Sequence, residues 1–325
     1  MLFINSKSHN PYFNLACEEY LMKNFSEDIF MLWQNDNTIV VGKNQNTLSE
    51  INSDYVKEHK IKVVRRMSGG GAVYHDKGNI NFTFILTDDK LFSNYEAFTQ
   101  PVINFLSELG VKAELSGRND ILIDGKKISG NAQFMHNGRI LHHGTLLFSS
   151  LEDKISKALN VSEEKIRSKG IKSVKSRVTD ISSHLKTPLT TEQFMQKLGE
   201  FVVKTSPNCQ EYDITADFSE IEKLMHEKYE TWEWNYGYSP KYDFKNKKRF
   251  SCGEVEVMLS IGSDGEITTA KIYGDFFSPN PADDFCKMLC GLKHKKEDVS
   301  ALLNKTNISD YISGITNEEF IDILF

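Results

Sequence analysis

Arg65-Arg66-Met67-Ser68-Gly69-Gly70-Gly71-Ala72-Val73-Tyr74-His75-Asp76-Lys77-Gly78-Asn79 is the stretch on which the reading of this chain turns. It follows the apolar run Ile61-Lys62-Val63-Val64 and precedes Ile80-Asn81-Phe82-Thr83-Phe84-Ile85-Leu86, both with strand character. Glycine has no Cβ, so a ligand can lie against the backbone of Gly69, Gly70 and Gly71 and take hydrogen bonds from successive N–H groups. Two arginines stand upstream, and the guanidinium fork matches carboxylate and phosphate oxygens. His75 and Asn79 add polar groups on the far side. The segment reads as a strand–loop–strand cradle for an anion. A triglycine between strands is equally a hairpin or a bulge, and its spacing fits neither G-x-x-x-x-G-K-[ST] nor G-x-G-x-x-G. Other segments must supply the matching chemistry.

Working outward, the alternation of Ile80, Phe82, Phe84 and Leu86 with Asn81 and Thr83 predicts a strand with one buried face. Asn10-Pro11 predicts a helix start, with Phe13, Ala16, Cys17, Tyr20 and Leu21 at helical spacing. Ile29 to Trp33 and Thr38 to Val41 read as strands joined through the polar turn at 34–37. A short helix is expected after Asn52. A helix carrying Phe98, Val102, Phe105 and Leu106 should end at Gly110. Asp124-Gly125 and Asn137-Gly138 are hairpin signals, and Thr190-Thr191 opens a helix with Phe194, Leu198, Phe201 and Val202. The composition shifts at residues 232–240, and the basic stretch Lys245 to Arg249 completes an expected linker. Beyond it, Phe250 to Leu259 and Ile267 to Tyr273 read as strands. Helices are expected near 283–290, 297–304 and 317–324.

The 325 residues suffice for about two domains. With 39% hydrophobic and 26% charged residues, the composition is that of a globular protein in water. A net charge of −6 argues against general nucleic-acid affinity. No apolar run approaches the roughly 20 residues of a membrane span, and no secretory signal pattern is visible at the N-terminus. Cys17, Cys209, Cys252, Cys286 and Cys290 are scattered, which suits free thiols in a reducing cytoplasm better than a metal site or a disulfide framework.

Three further segments carry chemistry. In Gly117-Arg118-Asn119-Asp120-Ile121-Leu122-Ile123-Asp124-Gly125-Lys126-Lys127-Ile128-Ser129-Gly130, pairing across the Asp124-Gly125 turn could bring Asp120 and Lys127 to one end of the sheet. A carboxylate there suits Mg²⁺ with phosphate oxygens, and the lysine could offset charge on a phosphate. The bland alternative is a pair of solvated turn lysines. In His142-His143-Gly144-Thr145, neighbouring strand residues point to opposite faces, so the two histidines cannot share one pocket. Lys165, Arg167, Lys169, Lys172, Lys175 and Arg177 form a run without acidic residues. It is either a loop closing over an anion or a solvated charged face.

Together these segments resemble the lipoate–protein ligases. The similar pieces are the cradle at Arg65 to Asn79, G-R-N-D at Gly117 to Asp120, K-I-S-G at Lys127 to Gly130, and H-H-G-T-L-L at His142 to Leu147. S-V-K-S-R-V-T at Ser173 to Thr179, F-N-L-A-x-E-E at Phe13 to Glu19, W-Q-N at Trp33 to Asn35, and G-K-N-Q-N at Gly42 to Asn46 join them. The resemblance spans about residues 1–245, and Met67 replaces a residue that is usually small in the family.

The resemblance implies an α/β (α+β) fold. Its mixed-sheet catalytic core, over 1–245, would be like those of biotin ligases and class II aminoacyl-tRNA synthetases, with a small α+β accessory domain over 246–325. It implies ATP-dependent conversion of lipoate to lipoyl-AMP, with Mg²⁺, and transfer to a lysine of a carrier protein. Such carriers are the E2 subunits of 2-oxoacid dehydrogenases and the glycine-cleavage H protein. By the same resemblance Lys127 is the central catalytic lysine, with Arg66 and Asp120 beside it and Asp120 toward the metal. Ser68, Gly69, Gly70, Gly71, His75 and Asn79, with Ser173, Arg177, Val178 and Thr179 of the covering loop, would hold the nucleotide. Leu15, Glu18, Trp33, His143 and Gly144 would line the acyl tunnel. An octanoyl or lipoyl transferase on the same fold is the nearest rival. It needs a thioester cysteine, and none stands between Cys17 and Cys209. A partner-dependent ligase, or a lipoyl-adenylate binding protein without turnover, also fits the motifs.

Overall fold

Elements of the computed structural model, which describes residues 1–45, 47–117, 119–149, 157–159, 178–236, 244–262 and 265–325, begin where short-range signals place them. Asn10 caps α1 (Pro11–Asn24): its side chain accepts from the Tyr12 N–H, and Pro11 occupies the first helical position, where no N–H is missed. A short helix, Ser53–Glu58, is capped in the same way by Asn52. In α2 (Tyr95–Glu108), Phe98, Val102, Phe105 and Leu106 form the buried stripe. A capping box between Thr190 and Gln193 starts α3 (Thr191–Thr205).

Two compact units result. The first comprises Met1–Val40, Ile51–Arg65 and Val73–Asn235. Its centre is a mixed eight-stranded sheet built from β1 (Leu2–Asn5), β2 (Ile29–Trp33), β6 (Asn79–Leu86), β7 (Glu114–Ser116), β8 (Asp120–Ile123), β9 (Lys126–His136), β10 (Arg139–Leu147) and β11 (Gln210–Glu211). The order is β11-β1-β2-β6-β10-β9-β8-β7. β1 runs parallel to β2 and β11, and the remaining pairs are antiparallel. Phe30, Phe82, Phe84, Phe98, Phe105, Phe148 and Phe194 interlock in its core. Each such buried ring contributes about 1.5–3 kcal/mol.

β2 and β3 (Thr38–Val41) are strands joined through the turn at 34–37, as expected, and they do not pair with each other. Both edges of β2 are taken by β1 and β6, so β3 lies in a separate sheet ordered β4-β3-β5, with β4 at Lys62–Arg65 and β5 at Val73–His75. β6 is buried on both faces, not one: Asn79, Asn81 and Thr83 are as inaccessible as Ile80 and Phe82. Polar residues on a fully covered strand face mark the site.

The second unit comprises Val41–Glu50, Arg66–Ala72 and Tyr236–Phe325. An antiparallel sheet of β12 (Phe244–Phe250), β13 (Gly253–Ile261) and β14 (Ile267–Gly274) carries α4 (Ala282–Leu289), α5 (Lys296–Leu303) and α6 (Asn317–Leu324) on its apolar face. Here the basic stretch expected in the linker is a strand. Lys245 and Lys247 reach across to the buried carboxylates of Glu256 and Glu254, at 2.6 and 2.8 Å. Neutralisation by cross-strand partners lets a run of lysines sit in a sheet. The strand expected over Phe250 to Leu259 is correspondingly split by a turn between β12 and β13.

Candidate active site

The hairpin β8–β9 turns at Asp124-Gly125, both with positive φ (50° and 74°). Its register shifts beyond Leu122↔Lys127, so that Ile121 faces Ser129 and Asp120 faces Gly130. The extra residue, Ile128, is a β-bulge. Lys127 Nζ lies 2.7 Å from Asp120 Oδ1, and both side chains are partly open to solvent. A Cβ on Gly130 would come within 2.9 Å of that ammonium. The lysine therefore lies across the bare backbone of Gly130. The Thr179 N–H donates to the Lys127 carbonyl at 3.0 Å, and Val178 bridges to Lys127 in parallel, which ties residues 178–179 to this hairpin. Arg118, Ser173 and Arg177, expected in the same neighbourhood, lie outside the described residues.

Register follows the ammonium across the sheet. The Gly130 N–H donates to Thr145 Oγ1 at 3.3 Å. Thr145 pairs with Asn81, and Asn81 with Trp33. His143 pairs with Thr83 two residues along the same face. Against this face, α1 presents Leu15 and Glu18, one turn apart and both buried. Glu18 Oε1 accepts from Thr83 Oγ1 at 2.5 Å and from His143 Nδ1 at 3.0 Å. Trp33 Nε1 donates to the same Thr83 oxygen at 2.9 Å. Four polar groups thus lock one another at the inner end of the face, which fixes the shape of whatever they enclose.

The neighbouring histidine points the other way, as alternation requires. His142 stacks on Phe98, with centroids 4.6 Å apart, and its ring nitrogens contact Gln133 and Asn131. Burial drives its pKa well below the usual histidine range, so the ring is neutral. Gly144 follows this second face: a Cβ there would run into Asn131 and the Phe82 ring. His75 is buried, with Nδ1 3.2 Å from Asn35 Nδ2, and Asn79 Nδ2 donates to Asn81 Oδ1 at 3.0 Å. Cys17 is fully buried, and burial pushes its thiol far above the ordinary range, Glu18 adding to the shift. Such a thiol is inert.

Within the second unit, the cradle is braced by its own arginine. Arg66 Nε donates to Ser68 Oγ at 3.1 Å, and Nη2 donates to the carbonyls of Gly69 and Gly71 at 2.7 and 2.9 Å. The Gly70 N–H donates to the Phe276 carbonyl at 3.4 Å, and Gly70 itself has φ +93°, open to glycine at little cost. The loop is held as an arc of backbone around a fixed positive charge.

Asn81, Thr83 and Thr145 belong to this face without being among the expected site residues. Their signal in the sequence is polar residues at period two within apolar strands, Asn79, Asn81 and Thr83 in β6 and His143 and Thr145 in β10.

Residues 10–202 match the family described as the lipoyl protein ligase A/B catalytic domain, and residues 239–324 match the bacterial lipoate protein ligase C-terminus. Lipoate-protein ligase LplJ of Bacillus subtilis is 45% identical over 332 residues, covering 100% of both chains. The crystal structure of Plasmodium falciparum LipL1 in complex with lipoate is similar at a TM-score of 0.81 and 28% identity, covering 99% of this chain and 97% of that one. A crystal structure of lipoate-protein ligase A bound with ATP is similar at a TM-score of 0.61 and 27% identity, covering 73% and 97%.

Proposed function

The chain belongs to the lipoate–protein ligase family, and on that premise we propose that it joins lipoate to AMP at the expense of ATP and passes the lipoyl group to a lysine of a carrier protein. A carboxylate is a poor acyl donor because its oxygen leaves badly. In the first step a lipoate oxygen attacks the α-phosphorus, the bond to the bridging oxygen breaks, and pyrophosphate departs. In the second, a neutral lysine amine attacks the acyl carbon, AMP leaves with the bonding pair, and the amine loses a proton to give the amide.

The observation that carries this reading is the Lys127 ammonium, 2.7 Å from Asp120 and laid over Gly130 at one end of a buried polar face. A fixed cation there offsets charge developing on the phosphate and on the attacking carboxylate. Leu15, Glu18, Trp33 and His143 on that face suit the acyl tail, and Gly144 contributes backbone from the adjoining register position. Arg66, Ser68, Gly69, Gly70 and Gly71 suit the acyl-phosphate, His75 and Asn79 the nucleotide. Ser173, Arg177, Val178 and Thr179 would cover it and slow hydrolysis of the adenylate.

Among the described residues no group of three His, Cys, Asp or Glu side chains could hold a metal. The part-exposed Asp120 carboxylate nevertheless fits Mg²⁺, which takes one or two carboxylates together with phosphate oxygens. Mg²⁺ bound there would supply further neutralisation of phosphate charge. The inert Cys17 thiol favours ATP activation over a thioester route. We further infer a catalytic domain over 1–245 and an accessory domain over 246–325. Lipoyl domains of 2-oxoacid dehydrogenase E2 subunits and the glycine-cleavage H protein are the inferred carriers, and the cytoplasm the site of action. Lipoate-dependent exchange of labelled pyrophosphate into ATP, followed by ATP-dependent labelling of a carrier lysine, tests the reading. Carrier labelling without ATP and without exchange would overturn it.

A further inference from the structure

Asn79 and Asn81 stand two residues apart on β6, both at most 1% exposed. One carboxamide serves the other, Asn79 Nδ2 donating to Asn81 Oδ1 at 3.0 Å. That leaves Asn79 Oδ1 and Asn81 Nδ2 buried without a hydrogen-bond partner. In this arrangement the open donor is on Asn81 and the open acceptor on Asn79; exchanging oxygen and nitrogen in both side chains would reverse those two roles. Buried polar groups are ordinarily matched, so an unmatched pair on a strand that sequence preference would fill with apolar residues calls for a ligand.

Its place on the sheet says which one. Asn81 faces Trp33 on one side and Thr145 on the other. Thr145 takes the Gly130 N–H, and Lys127 lies over Gly130. Two strand spacings, about 10 Å, separate Asn81 from the strand position that the ammonium covers. A carboxylate lying between the Lys127 ammonium and the Asn81 carboxamide, with its acyl chain leading toward the Trp33–Thr83–Glu18–His143 network, would turn one oxygen to each. Lys127 can saturate only part of that carboxylate, and a second donor is needed.

Resting on the ligase reading above, we propose that Asn81 is a substrate-binding residue whose spare carboxamide N–H holds an acyl oxygen of lipoate, and that Asn79 is the positioning residue that orients it. The same N–H stays on the carbonyl oxygen once the other oxygen is joined to phosphorus.

Asn81→Val keeps strand preference and removes the donor. Asn81→Asp keeps the shape and the bond from Asn79 but turns the donor into an acceptor. The probes are lipoate itself and ATP in pyrophosphate exchange, with melting midpoints of the unliganded proteins. In both variants the KM for lipoate should rise tenfold or more, the KM for ATP should move by less than twofold, and Asn81→Val should melt within a few degrees of wild type. An unchanged lipoate KM in either folded variant overturns the proposal, as does a rise confined to ATP. A wild-type protein without lipoate-dependent exchange would instead overturn the ligase reading, and this assignment with it.

Discussion

Lys127 Nζ reaches Asp120 Oδ1 at 2.7 Å by crossing Gly130, the residue that the bulge at Ile128 brings opposite Asp120. In an unbulged hairpin from the same turn, Ser129 would face Asp120. The shift substitutes a residue with no side chain, and the lysine occupies the space. Truncating Lys127→Ala should lower lipoate-dependent pyrophosphate exchange at least ~10²-fold, the scale for removing one preorganised charge-stabilising donor. Near-normal exchange in a folded Lys127→Ala protein would show that the ammonium has another role.

Gly130→Ala separates geometry from stability. The added methyl meets Nζ at 2.9 Å and Cε at 3.1 Å, the flexible end of a side chain, which can swing away. The melting temperature should therefore stay within a few degrees. Activity should fall about tenfold or more, because misplacing a reacting group by ~1 Å can cost up to ~10²-fold. Full activity with an unchanged melting curve would mean that the position of the lysine over Gly130 is immaterial.

Cys17 is packed inside α1, and its thiol stays protonated. Cys17→Ala should keep most of its turnover in carrier labelling while losing some heat stability to a small cavity. A folded but inactive Cys17→Ala protein would revive a thioester intermediate.

His142 gives the fold a pH signature. Its folded pKa lies well below 6.5 through burial first and the neighbouring His143 second. The unfolded chain takes up a proton as pH falls through about 6.5, while the folded ring stays neutral, so unfolding is favoured. Stability from this group is complete above the unfolded pKa. It declines by up to ~1.4 kcal/mol per pH unit below that point, until the folded ring itself titrates. Denaturant midpoints measured from pH 7.5 to 5 should show the decline, and His142→Asn should flatten the slope by about one proton even if it lowers the midpoint throughout. An identical slope in the variant would place the titration elsewhere.

Much of the molecule was legible from local rules. Helix starts at Asn10, Asn52 and Thr190 each depend on one side chain capping one or two N–H groups, and the hairpins at 124–125 and 137–138 depend on two residues tolerating positive φ. These are short-range effects that a sequence displays directly. The opposed faces of His142 and His143 follow from strand alternation alone. The separation of β2 from β3 and the strand at Phe244–Phe250 were not legible. Pairing is decided by which edges other strands occupy and by distant carboxylates such as Glu254 and Glu256.

By itself, the sequence determined the chemistry: a glycine arc beside arginines, a lysine near a carboxylate, a buried-strand rhythm, and motifs particular enough to mark a family. Tertiary structure alone decided how that chemistry is aimed. The bulge that clears Gly130 for Lys127 and the covering of both faces of β6 depend on registers between strands far apart in the chain. A register is a collective solution to burial and hydrogen bonding, which no single segment contains.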